Sequence, residues 1–91
     1  MTKADLMIKL SQKENIQFKK AEEIVNELFD LMRESLKANQ RIEIRGFGSF
    51  VNREYKSYRG RNPKSGELVD VPGKRVPFFK VGKDLKESID K

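Results

Sequence analysis

The sequence predicts an α+β fold in which two helices come first, antiparallel strands follow, and a short helix closes the chain. Three observations predict it. Apolar residues recur at spacings of three and four up to about residue 38, the period changes to two from Arg41, and helical spacing returns after Lys83.

Taken in order, Thr2 stands three residues before Asp5, the pattern of an N-cap with an acidic first turn. Leu6, Ile8 and Leu10 give a short amphipathic helix that ends near Lys13, with Asn15 as its stop. From Phe18 to Ala38 the apolar positions are Ala21, Ile24, Val25, Leu28, Phe29, Leu31, Met32 and Leu36. That stripe is wider than one short helix can cover, so part of it should meet a second subunit. Asn39 suits a left-handed helix end. In Arg41-Ile42-Glu43-Ile44-Arg45 the isoleucines face one way and the charges the other, the mark of a half-buried strand. Gly46-Phe47-Gly48 turns the chain into a second strand from Ser49, Val76 to Val81 forms another, and Lys83 to Ile89 closes with Leu85 and Ile89 on one face. Phe47, Phe50, Phe78 and Phe79 read as core and dimer packing rather than as a base-stacking set.

Composition points the same way. Of 91 residues, 36% are hydrophobic and 37% charged, so a single chain has little apolar surface to bury. With no Cys and no His there is neither a disulfide nor a structural zinc site to compensate. A partner subunit is the remaining remedy, and dimerisation is expected. The same absence removes the usual general base and thiol nucleophile, and the carboxylates are scattered among Lys and Arg, which favours binding over catalysis and calls for no cofactor or metal. A net charge of +6 and a pI near 9.7 favour a polyanion as ligand: DNA, RNA or an acidic membrane surface. No segment has the length of a membrane-spanning helix and the first residues lack the apolar run of a signal peptide, so a cytoplasmic protein is expected.

Residues 52–75 carry the most information. Arg53, Lys56, Arg59, Arg61, Lys64, Lys74 and Arg75 stand against only Glu54, Glu67 and Asp70, so this segment holds +4 of the chain's +6. Asn62-Pro63 and Gly66 mark a turn near its middle. That leaves roughly nine residues on each side, about 30 Å of strand. So few apolar residues cannot fold such an arm onto a core, and poor order is expected until an anion lies along it.

Gly60-Arg61-Asn62-Pro63-Lys64-Ser65-Gly66 resembles the arm-tip signature of the HU/integration host factor family. The likeness runs through nearly the whole chain: Arg45-Gly46-Phe47-Gly48-Ser49-Phe50, then Gly73-Lys74, Val76-Pro77, Phe79-Lys80 and Gly82-Lys83. It implies one domain over 1–91, an intertwined dimer with a helical base (1–40), a three-stranded antiparallel β-saddle (41–51 and 76–81), a β-hairpin arm (52–75) and a C-terminal helix (82–91). It implies an architectural protein that bends and compacts duplex DNA in the bacterial nucleoid. Pro63 would intercalate from the minor groove, where a rigid apolar ring without an N–H suits the task. Arg53, Lys56, Arg59, Arg61, Asn62, Lys64, Lys74 and Arg75 would line the arm's contact with DNA. Lys3, Lys80 and Lys83 would clamp phosphates. Arg41, Glu43 and Arg45 are similar to a trio in β-type integration host factor subunits that selects sequence through the minor groove, with Glu43 holding Arg45. Gln17 departs from the Ser or Pro usual before helix 2, and Val81 from the usual proline, which would loosen the start of the last helix. The partner is either a second copy or a homologous subunit. The rival reading is an RNA-binding or ribosome-associated protein, since +6 attracts RNA equally.

Overall fold

A computed structural model describes residues 1–90. They divide into a helical unit, Met1–Ala38, and a mainly β unit that starts at Asn39.

In the helical unit, α1 (Lys3–Glu14) opens on the expected capping box: the Asp5 N–H donates to Thr2 Oγ1 at 3.1 Å and the Thr2 N–H to Asp5 Oδ2 at 2.9 Å. Asn15 ends it in the left-handed region at φ 52°. α2 (Phe18–Lys37) has no side-chain cap at Gln17, as its sequence predicts, and Asn39 follows its C-terminus at φ 58°.

The two helices pack through Met7, Ala21 and Val25, the only apolar side chains buried among the described residues. Ile8, expected on the apolar face of α1, is exposed, and Met7 takes its place. The 100° step per residue sets Met7 beside Leu10 and Ser11 and turns Ile8 away from α2. The wide stripe of α2 separates into two lanes. Ala21 and Val25 lie under α1, with Phe29, Met32 and Leu36 half-buried. Ile24, Leu28 and Leu31, one and two turns apart, form a second lane that remains 42%, 51% and 61% exposed.

In the β unit, β1 (Ile42–Ile44), β2 (Gly48–Tyr55) and β5 (Lys74–Val81) form an antiparallel sheet in the order β1-β2-β5. Beyond it β3 (Tyr58–Arg61) and β4 (Leu68–Val71) form a two-stranded hairpin, and α3 (Lys83–Ile89) closes the chain. Pleating puts Ile42, Phe50 and Phe79 on one face, where Phe79 meets Phe50 at 4.8 Å and Phe47 at 5.5 Å between ring centroids. Phe78 stands outside that cluster: successive strand residues point to opposite faces, so Phe78 shares its face with Val51. β5 also starts two residues earlier than the Val76 expected. At the entry to α3 the Gly82 N–H donates to the Phe47 carbonyl at 2.8 Å.

Candidate nucleic-acid interface

β2 and β5 stay paired well past the core, from Gly48 opposite Val81 to Tyr55 opposite Lys74. Two residues on each strand then leave the ladder, and pairing resumes at Tyr58 opposite Val71 with its register unslipped. The gap has a local cause. Pro72 has no N–H to give, and the strands approach so closely at Gly73 that a Cβ there would come 3.0 Å from the Tyr55 carbonyl oxygen. The ladder pairs the inward-facing backbone groups of a segment expected to be poorly ordered alone, but from Arg53 to Asp70 nearly every side chain remains exposed.

The tip is tightly bonded. The Asn62 N–H donates to the Glu67 carbonyl at 2.8 Å, the Gly66 N–H to the Asn62 carbonyl at 2.7 Å, and the Lys64 N–H to Asn62 Oδ1 at 2.9 Å. Gly66 sits at φ 73°, a conformation a side chain would strain. Arg61 reaches back to the Gly66 carbonyl through Nη1 at 3.0 Å. Asn62 and Arg61 thus fix the turn that presents Pro63, which is itself exposed.

The arm's cations divide by what they touch. Lys56, in the gap, and Lys64, at the tip, extend into solvent. Arg59 pairs across the hairpin with Asp70, Nε to Oδ1 at 3.0 Å, both side chains exposed. Lys74 lies 6.0 Å from the ring of Tyr55 opposite it. The Arg53 guanidinium stacks on Phe78 at 3.5 Å from the ring centroid. Arg75 stands opposite Glu54, on the other face of the sheet from Arg53 and Lys74.

On the sheet, Glu43, Ser49 and Lys80 form one row across β1, β2 and β5, on the Arg53 face. Glu43 pairs with Arg41, Nη2 to Oε2 at 3.6 Å, and not with Arg45 as expected. Arg45 has no ion pair among the described residues. Glu43 and Arg45, but not Arg41, line a shallow cleft with Lys83 and Asp84 at the start of α3. Lys3, in the helical unit, lies 5.9 Å from the ring of Phe29. Sequence reasoning found these cations but missed Phe78 beneath Arg53 and the Arg59–Asp70 pair, since both need the strand register. Among the described residues no cluster of acidic side chains could hold a metal, and no helix is long and apolar enough to cross a membrane.

A cationic hairpin projecting from a small α+β unit defines a nucleic-acid-binding class of protein. The family described as bacterial DNA-binding protein matches residues 1–90, and the chain belongs to it. It is 48% identical to integration host factor subunit beta of Colwellia psychrerythraea, over 99% of this chain and 96% of that protein. The same subunit of Nitrosomonas europaea is 50% identical over 99% of this chain and 87% of its own length. Among solved structures, HU of Anabaena in a cocrystal with DNA superposes at a TM-score of 0.85 with 32% identity, covering 98% of this chain and 97% of that one.

Proposed function

We propose that the chain is an architectural DNA-binding protein of the bacterial nucleoid, a cytoplasmic dimer that bends and compacts duplex DNA without catalysing a reaction. The partner is a second copy or a homologous subunit, the latter favoured by the likeness to integration host factor β subunits. One observation carries the reading: a long paired arm, cationic and exposed, holds Pro63 at its tip by four hydrogen bonds from neighbouring residues.

Each part has a physical task. Phosphate neutralisation by arm and saddle cations supplies most of the affinity. Arg41, Arg45 and the arm arginines suit a narrow minor groove, whose negative potential attracts guanidinium groups. Pro63 replaces base stacking at one step, which costs a few kcal/mol that the contacts of a bent duplex must offset. Lys3, Lys80 and Lys83 hold phosphates of the flanking DNA. The second chain completes the exposed lane of α2 and supplies the second arm.

The test is a titration of random, nicked and A-tract duplexes and of double-stranded RNA, with the mass of the free protein measured alongside. A dimer that prefers DNA, and nicked DNA most, is expected. Preference for A-form RNA would overturn the reading.

A further inference from the structure

Phe78 is half-buried, yet it packs with none of the other phenylalanines. Val51 faces Phe78 and Arg53 faces Val76, so Arg53 is its diagonal neighbour across the ladder. The guanidinium carbon lies 3.5 Å over the ring centroid, too close for an edge-on approach, so the group rests face-on against the ring in van der Waals contact. Among the described residues Arg53 pairs with no carboxylate, so the ring is what holds it. Lys80 and Lys74 share this face, one on the saddle side of Phe78 and one on the arm side.

We infer that Phe78 is a positioning residue for DNA binding: it holds the Arg53 guanidinium flat at the root of the arm, ready to meet a backbone phosphate. Stacking occupies the face of the guanidinium and leaves its N–H donors in plane and unused. An unsupported arginine would sample many rotamers and lose that freedom on binding. The ring removes the loss in advance, and it places Arg53 between Lys80 and Lys74 in a line of cations leading from saddle to arm. A leucine would fill the same strand position but could not stack. The inference rests on the proposed DNA-binding function.

A double-mutant cycle on a labelled random duplex tests it, with melting of each free protein as a control for folding. Phe78→Leu is expected to weaken binding about two- to fivefold, the range of an exposed cation–π contact. Phe78→Tyr should bind as wild type does. In an Arg53→Gln background, Phe78→Leu should have no further effect. Proton spectra should show the Arg53 δ-methylene shifted upfield by the ring in the wild type and in Phe78→Tyr, and unshifted in Phe78→Leu. Equal weakening by Phe78→Leu with and without Arg53, or failure of tyrosine to restore binding, would reduce Phe78 to packing and overturn the inference. Absence of duplex binding by the wild type would overturn the proposed function itself, a result the cycle separates from the others.

Discussion

On α2, Ile24, Leu28 and Leu31 present a continuous lane of apolar carbon to solvent, whereas the arm presents cations with only scattered apolar side chains, Tyr55, Tyr58, Leu68 and Val69, between them. Both regions are incomplete within one chain, and they lack different things. The helical lane needs a complementary apolar surface, which a second copy or a homologue supplies. The arm already pairs its strands with each other and leaves their outer edges to water, so what it lacks is opposite charge along its flanks. Apolar burial is insensitive to moderate salt, while phosphate neutralisation is not. Subunit assembly and DNA binding should therefore respond to different perturbations.

The largest expected effect lies on the helical side. Leu28→Asp places a charge in the lane, and burying it unpaired costs several kcal/mol, enough to undo the dimer. Sedimentation should show single chains, circular dichroism should lose its cooperative transition, and DNA binding should vanish with them. In the wild type the melting midpoint should rise with protein concentration. A soluble, folded Leu28→Asp monomer that still binds DNA would break the comparison.

Salt should act on the other region. If a dimer makes roughly eight phosphate contacts, the log–log slope of affinity against salt should be about −7, a loss of about ten-thousandfold between roughly 50 and 200 mM. The mass in solution should not change over that range. Lys3→Ala or Lys83→Ala should flatten the slope by about 0.9 for each contact removed, and equally on every sequence.

Smaller effects concern the saddle. Arg45 makes no ion pair among the described residues; if it contacts the minor groove as proposed, Arg45→Ala should cut discrimination for A/T-rich sites by about fivefold, near 1 kcal/mol. Because Glu43 pairs with Arg41, Glu43→Ala should act through Arg41 instead. Equal losses on all sequences, measured by competition binding, would make the trio simple phosphate ligands. The smallest effect is expected at Asp70→Asn. It releases Arg59 from an exposed pair worth under about 1 kcal/mol, so melting should barely move while duplex affinity rises a few-fold at low salt.

Much of this was legible in the residues. Thr2 with Asp5, Asn15 and Asn39 marked helix ends by local chemistry that acts within a few residues, and the structure places caps or left-handed turns at each. The shift in period located β1, the start of β2 and most of β5, and Asn62-Pro63 with Gly66 located the tip between β3 and β4. What escaped depends on partners distant in sequence. The partner of Glu43, the platform beneath Arg53 and the acid opposite Arg59 follow from side-chain geometry and cross-strand register, which no run of residues displays. Ile8 and Met7 were exchanged because adjacent apolar residues on a short helix differ by only one step in angle.

The arm tip is proposed to bend DNA and not merely to grip it, and Pro63→Ala tests that most directly. The variant keeps all seven arm cations and the hydrogen bonds that Asn62 and Arg61 make to the turn, but loses the rigid ring. Energy transfer between the ends of a duplex of about 35 base pairs reports the bend, since thermal bending is small well below the ~150 bp persistence length. The wild type should bring the ends markedly closer. Pro63→Ala should bind the same duplex with modest weakening and leave it far straighter, while nicked DNA is affected least because its deformation energy is already low. End-to-end distances in the Pro63→Ala complex equal to those of the wild type would contradict the account and leave Pro63 a turn residue only.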